Sequence, residues 1–258
     1  MNERKTSPAY RVLEWLVRTF YPAIETVGAE NLPNEPVVIV GNHSQLHGPI
    51  ACQLYFPGKP FIWCAGEMME LREVPGYAYR DFWSQKPRRS RWFYKLMSYL
   101  IAPLAVCLFN NARTIAVRRD SQVLSTFRES VKRLQSGSSL VIFPEYDKKY
   151  NHILYDFQEN FVDVARLYHK KTGTELSFVP LYIAPKLRKM YVGRPIRFCA
   201  ANPIEEERRR ICDVLMREIT DLAGSLPRHT VIPYRNIPKR LYPSNISDEV
   251  QAHEKTGR

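Results

Sequence analysis

The segment Val37–Ile50 reads VVIVGNHSQLHGPI, and it decides how the chain is expected to fold. Its first four residues are apolar and β-branched, with Pro36 before them and Gly41 after them. A short apolar run between such residues is typical of a buried strand. Two histidines, His43 and His47, follow where the strand ends. Because ligands bind at the carboxyl edge of an α/β sheet, His43 is a candidate general base.

Two later segments have the same apolar pattern, at residues 139–144 (SLVIFP) and 176–184 (LSFVPLYIA). Helical spacing of apolar residues precedes the first of them, at residues 121–137, and a second helix is predicted near Asp156–Lys170. Strands that alternate with helices predict an α/β fold with a mostly parallel central sheet flanked by helices. Pro180 lies inside the last strand and predicts a gap in its hydrogen-bond ladder.

The composition narrows the class of partner. The 258 residues are 45% hydrophobic and carry a net charge of +12, which is typical of a globular protein that binds anionic surfaces or ligands. No nucleic-acid recognition motif is present, so we expect no nucleic acid partner. The five cysteines are scattered without a C-x-x-C pair, which predicts reduced thiols in the cytosol and no metal site.

An amphipathic helix is predicted at the N-terminus, where apolar residues recur at helical spacing from Val12 to Phe20. Glu14 and Arg18 interrupt this segment, so it is not expected to be a signal peptide. Two interpretations remain open: a helix that packs on the protein's own core, and an interfacial helix that turns its aromatic side chains toward lipid.

The most apolar segment is Trp92–Phe109, and its only charged residue is Lys95. It is near the lower limit for a membrane span, which needs about 20 apolar residues. Because Pro103 lies inside it, a buried or re-entrant helix pair is the alternative to a span. Basic residues precede it at Lys86–Arg91, which favours an anionic membrane surface. We expect peripheral or monotopic attachment to the cytoplasmic face of a membrane.

Four short motifs follow one another along the chain: Asn42-His43, Arg118-Arg119, Phe143-Pro144-Glu145 and Val179-Pro180. Their order and spacing resemble those of the glycerolipid acyltransferases of the lysophosphatidate acyltransferase type. That family has the motifs NHxSxxD, an arginine after a short strand, FPEGTRS and a VPV-like strand. The resemblance extends from about Val37 to Pro195, and it implies a glycerol-3-phosphate acyltransferase-like fold.

The resemblance also implies a reaction in phospholipid synthesis. His43 would act as base on the hydroxyl of a lysophospholipid or glycerol-phosphate-like acceptor, which attacks an acyl thioester of coenzyme A or acyl carrier protein. Arg119 and Lys148, at the positions of the family's arginines, would hold the acceptor's phosphate. No cofactor is implied beyond the acyl donor. The remaining side chains implied to contact substrate are Asn42, Arg118, Pro144, Asp147, Val179 and Pro180.

One departure from the family pattern bears on catalysis. The family aspartate that orients the histidine corresponds here to Gly48. In a serine protease, loss of the orienting carboxylate lowers kcat by about 10⁴, which sets the scale of the problem. Three interpretations stay open. Glu145 or Asp147 orients His43; His47 serves as its partner or as the base; or the protein binds lipid or acyl donor and transfers acyl groups slowly or never.

The predicted organisation has three parts. Residues 1–30 form an interfacial helical segment, residues 31–226 form the acyltransferase-like α/β domain, and residues 227–258 form an extended tail. The tail holds four prolines and shows little periodicity, so it is expected to run over the surface.

Overall fold

The computed structural model describes residues 7–84, 86–118 and 123–246. Its helices are α1 (Pro8–Phe20), α2 (His47–Tyr55), α3 (Val74–Ala78), α4 (Arg91–Asn111), α5 (Val123–Gln135), α6 (Asp163–Thr172) and α7 (Ile204–Gly224). Its strands are β1 (Glu25–Val27), β2 (Val37–Gly41), β3 (Phe61–Ala65), β4 (Thr114–Val117), β5 (Leu140–Ile142), β6 (Glu145–Tyr150), β7 (Tyr155–Phe157), β8 (Ser177–Ala184), β9 (Lys189–Val192) and β10 (Ile196–Arg197).

The chain forms two compact units that interleave along the sequence. The first unit comprises Met1–Ala23 and Phe61–Glu129, and the second comprises Ile24–Pro60 and Ser130–Arg258. The predicted domains are consecutive in sequence, and their boundaries after residues 30 and 226 stay predictions.

The second unit contains a sheet in the order β1-β9-β8-β2-β5. Strand β2 pairs in parallel with both β8 and β5, and β1 pairs in parallel with β9. Every residue of β2 and of β8 is buried, as expected for strands inside a parallel sheet. Helix α7 packs against β8 through an apolar stripe that includes Ile211, Leu215 and Ile219. The prediction of an α/β fold with a mostly parallel sheet is confirmed.

Pro180 lies in the middle of β8 without disrupting it. On one side β8 pairs continuously with β2, while on the other it pairs with β10 at Phe178 and with β9 only from Leu181 onward. The missing N–H of Pro180 therefore falls between two partner strands. The Gly193 N–H donates to the Pro180 carbonyl at 2.9 Å, and a Cβ at Gly193 would lie 2.7 Å from Pro180 Cγ, which explains why glycine occupies this position.

The prediction of a helix from Asp156 is wrong over its first residues. Strand β7 pairs with β6 in an antiparallel hairpin, and α6 begins only at Asp163. The side chains of Tyr155 and Phe157 are both buried, and that period of two fits a strand. Gly173 ends α6 in a left-handed conformation, as the sequence predicts.

In the first unit, α4 is one continuous helix, so the prediction of a helix pair broken at Pro103 is wrong. The segment Arg88–Asn111, which comprises α4 and the turn before it, is long and apolar enough to cross a membrane. Only 11% of its most apolar stretch is buried. Its buried residue Ala102 packs against Met68, Val74 and Ala78. Trp92 keeps 70% of its surface exposed.

Helix α1 also belongs to the first unit and turns apolar side chains outward. Ser7 caps its start by accepting a hydrogen bond from the Tyr10 N–H, and Tyr10 is its one buried residue. Trp15 and Phe20 keep 62% and 83% of their surface exposed. The exposed face does not match the interpretation of α1 as a helix packed on the core.

Candidate active site

The loop after β2 is fixed to β8 by a buried asparagine. Asn42 Oδ1 accepts the Ile183 N–H at 2.7 Å, and Asn42 Nδ2 donates to the Ile183 carbonyl at 3.0 Å and to Ser44 Oγ at 2.8 Å. The Asn42 side chain therefore replaces the backbone hydrogen bonds that β2 would make to β8 where their parallel pairing ends. It fixes the loop that carries His43 to β8.

Two successive residues in this loop have left-handed backbone conformations that are uncommon outside glycine. Ser44 has φ of 46° and Gln45 has φ of 56°. The resulting turn brings the His47 N–H to the Ser44 carbonyl at 3.0 Å and the Gly48 N–H to the His43 carbonyl at 3.1 Å. Strained backbone of this kind persists where surrounding contacts fix it, and it clusters at functional sites.

Gly48 is required by this turn for steric reasons. A Cβ at residue 48 would lie 2.5 Å from the His43 carbonyl oxygen and 3.0 Å from Phe143 Cε1. No side chain fits there without movement of the backbone. The position that holds the orienting aspartate in the resembled family therefore cannot supply an acid to His43 in this conformation.

Glu145 is the carboxylate beside His43, and it contacts the backbone of the histidine. Its Oε1 accepts the His43 N–H at 2.6 Å, and its Oε2 accepts the Tyr155 N–H at 2.8 Å. Burial raises the pKa of Glu145 to about 7, although the two backbone N–H groups oppose the shift. Its carboxyl group thus joins the His43 loop to β7.

Two aromatic rings pack against the His43 ring. Phe143 and Tyr234 lie at centroid distances of 5.3 and 5.5 Å, and both meet the imidazole edge-on. Nδ1 of His43 is buried and has no hydrogen-bond partner among the described residues. Burial lowers the pKa of His43 to about 4, and backbone groups of Gln45 and of His43 itself oppose this shift. The ring is therefore neutral at physiological pH.

The other two residues proposed to assist His43 have different surroundings. His47 begins α2, and burial lowers its pKa, assisted by the positive charges of Lys186 and Lys239. Asp147 is half exposed and its Oδ2 lies 3.5 Å from Arg235 Nε. The structure thus places Glu145 on the backbone of His43, and the catalytic roles of His47 and Asp147 stay predictions.

The predicted phosphate-binding residues are distributed over both units. Arg118 follows β4 in the first unit, where its guanidinium forms a 2.8 Å ion pair with Glu70. Arg119 lies outside the described residues. Lys148 is exposed on β6 of the second unit, with its Nζ 5.9 Å from the centre of the Tyr146 ring. The remaining predicted contacts are buried in the second unit at Pro144, Val179 and Pro180.

Two residues near His43 were not singled out from the sequence. Tyr155 contributes its N–H to Glu145, and Tyr234 contributes its ring to His43. The two tyrosines also contact each other at a centroid distance of 6.2 Å. Tyr234 lies in the proline-rich tail, where no periodicity or motif distinguishes it, so no signal in the sequence indicates this contact.

No protein-family model matches the chain, and no curated protein matches it in sequence. Among solved structures, the chain is similar to the 1-acyl-sn-glycerophosphate (LPA) acyltransferase PlsC from Thermotoga maritima. The two chains are 18% identical, the match covers 83% of this chain and 79% of that chain, and the TM-score is 0.45.

Proposed function

We propose that the protein is an acyltransferase that moves a fatty acyl group from an acyl thioester to a hydroxyl of a lysophospholipid or glycerol-phosphate-like acceptor. The observation that carries the proposal is His43, a half-buried imidazole at the carboxyl end of β2, in a loop fixed by Asn42 and Glu145. The four ordered motifs, which resemble those of glycerolipid acyltransferases, give the class of reaction. Coenzyme A or acyl carrier protein is the proposed carrier of the acyl group.

The proposed reaction uses His43 as a general base. Its neutral imidazole accepts the proton of the acceptor hydroxyl while the hydroxyl oxygen attacks the thioester carbonyl. The carbon–sulfur bond breaks, and the proton passes from the imidazole to the departing thiolate. An alcohol is a poor nucleophile, and a positioned base accelerates such attack by roughly 10²–10⁴.

We further propose that the first unit attaches the protein to the cytoplasmic face of a membrane, as a peripheral or monotopic protein. Exposed apolar side chains on α1 and α4 include Trp15, Phe20 and Trp92. Basic residues before α4 and the net charge of +12 favour anionic lipid. Binding to vesicles should therefore be stronger with anionic than with zwitterionic headgroups and should weaken as salt is raised.

Replacement of His43 tests the proposed chemistry. We expect His43→Ala to lower the rate of acyl transfer by roughly 10²–10⁴, because the alcohol loses its base. The measurement is thioester consumption with lysophospholipid and glycerol-phosphate acceptors. His169→Ala, on α6, is the matched histidine control and should keep the wild-type rate. Equal rates for wild type and His43→Ala would remove His43 as the base.

The pH dependence gives a second test of the same residue. Because burial lowers the pKa of His43 to about 4, the base stays unprotonated well below the usual histidine range. We expect kcat/KM to hold its plateau through pH 6 and to fall only as the pH approaches about 4. An acid limb at or above the ordinary histidine pKa of about 6.5 would instead indicate a base paired with a carboxylate.

A second candidate function is binding of lipid or acyl carrier without efficient transfer. Two observations favour it: residue 48 has no room for an orienting acid, and His43 Nδ1 has no hydrogen-bond partner among the described residues. A lowered pKa also makes His43 a weaker base. Vesicle binding without thioester consumption for any acceptor would support this function over acyl transfer.

A further inference from the structure

The C-terminal tail is anchored to the second unit by a buried polar network. The His229 N–H donates to Asn245 Oδ1 at 2.8 Å, and Asn245 Nδ2 donates to the Ala223 carbonyl of α7 at 2.9 Å. His229 Nδ1 lies 2.8 Å from the Pro227 carbonyl, which can only accept, so Nδ1 carries the proton. His229 Nε2 forms a second hydrogen bond, of 2.9 Å, with the Tyr182 hydroxyl of β8.

Between these anchors the tail reaches the loop and hairpin that hold His43. Tyr234 meets the His43 ring edge-on at 5.5 Å. The Tyr242 hydroxyl accepts a hydrogen bond from Gln45 Nε2 at 2.9 Å, and Arg235 pairs with Asp147 at 3.5 Å. The tail thus contacts His43 itself, the left-handed turn that follows it, and strand β6.

The imidazole needs another means of orientation, because no acid occupies residue 48. Glu145 has each carboxylate oxygen on a backbone N–H, and His43 Nδ1 has no hydrogen-bond partner among the described residues. The described aromatic contacts of the ring are with Phe143 at 5.3 Å and with Tyr234 at 5.5 Å, both edge-on. Edge-on aromatic packing has a preferred geometry, so the two rings restrict the tilt of the imidazole.

We propose that the tail segment 227–246 is part of the His43 site and that Tyr234 is a positioning residue for the imidazole. Phe143 follows β5 and Tyr234 belongs to the tail. Their packing orients the ring, because residue 48 has no room for a carboxylate. The consequence for catalysis rests on the proposed function, in which His43 is the base. The contact between Tyr234 and His43 does not depend on it.

The test compares Tyr234→Ala with Tyr234→Phe in the full chain. Val231→Ala is the matched control, because Val231 is a buried residue of the same tail that supports its docking. The first readout is the NMR signals of the His43 ring, assigned by their loss in His43→Ala. We expect Tyr234→Ala to shift these signals, while Tyr234→Phe and Val231→Ala leave them close to wild type. The second readout is kcat for thioester consumption, which should fall about 10- to 100-fold in Tyr234→Ala only.

Each result decides between positioning and simple support of the fold. Unchanged His43 signals in Tyr234→Ala would overturn the proposal, and so would an equal shift in Val231→Ala, because loosening of the tail alone would then explain both. Failure of Tyr234→Phe to retain the wild-type signals would also contradict positioning by the ring. If the wild type transfers no acyl group but the NMR results are as expected, the proposed function fails while the positioning role stands.

Discussion

A Gly48→Asp variant is expected to lose stability and to gain no acyl transfer, although it restores the residue of the resembled family. The new Cβ would lie 2.5 Å from the His43 carbonyl oxygen and 3.0 Å from Phe143. The carboxylate would also enter a buried region where the Asn42 carbonyl is 3.1 Å from the Cβ position. Overpacking and an uncompensated buried charge together should lower the free energy of unfolding by at least about 3 kcal/mol.

Urea denaturation of three variants separates these effects. Gly48→Ala adds the Cβ without the charge, so it should lose part of the stability that Gly48→Asp loses. Gly224→Ala is the control, because a Cβ at the end of α7 meets no atom within 4 Å. It should match the wild type or exceed it slightly. A stable Gly48→Asp protein with faster thioester consumption would show that the turn adopts another conformation, with room for an acid.

A Glu145→Gln variant is expected to lose roughly 1–3 kcal/mol of unfolding free energy above about pH 7, where Glu145 is ionised. The carboxylate accepts two backbone N–H groups, from His43 and Tyr155, with separate oxygens. A glutamine has only one acceptor oxygen, so its amide nitrogen would face one of these donors. Because one donor is that of His43, activity should fall with stability. Glu206→Gln, on the exposed side of α7, is the matched control and should change neither.

The same variant should change how stability depends on pH. The pKa of Glu145 is raised to about 7, so its contribution to stability is present below its ordinary pKa and is lost as pH rises through about 7. The pKa of His43 is lowered to about 4, so its contribution is present above its ordinary pKa and is lost as pH falls through about 4. Between about pH 4.5 and 6.5 the two slopes oppose each other in the wild type.

Removing Glu145 or His43 should leave the pH dependence of the unfolding free energy that comes from the other group. Glu145→Gln should become more stable as pH rises from 5 to 6, by about 1 kcal/mol or more, since the contributions of His43 and His47 remain and both have lowered pKa values. His43→Ala should instead lose stability over the same range, because the contribution of Glu145 then exceeds that of His47. Urea denaturation at the two pH values measures both slopes. Parallel pH profiles for wild type and Glu145→Gln would contradict the raised pKa of Glu145.

Much of the fold follows from local patterns in the sequence. The runs that became β2, β5 and β8 are apolar and β-branched, and they are buried as such runs require. The sequence pattern does not predict the hairpin of β6 and β7, and one contact that supports it, from Glu145 to the His43 N–H, joins residues distant in sequence. The continuity of α4 through Pro103 was missed because a proline lowers helix propensity locally, while the packing of Ala102 supports the helix.

The candidate site was predictable in part. The resemblance to the acyltransferase motifs implies that Glu145 lies near His43, and the structure brings the two within a hydrogen bond. It does not indicate that Glu145 contacts the backbone of His43 or that the tail supplies Tyr234. The reason for glycine at residue 48 is visible only in the structure. The His43 carbonyl that excludes a side chain there is brought close by a turn with two left-handed residues. A motif comparison identifies the missing acid and not the reason for its absence.

The interleaved order of the units has a consequence for synthesis on the ribosome. Strand β2 leaves the ribosome well before its partners, because Val38 pairs with Leu140 in β5 and with Phe178 in β8. At about 5–20 residues per second, β2 waits on the order of ten seconds for β8. During that time an apolar strand with two unpaired edges is exposed to aggregation or to capture by chaperones. The strand that presents His43 therefore needs protection while the chain is being synthesised.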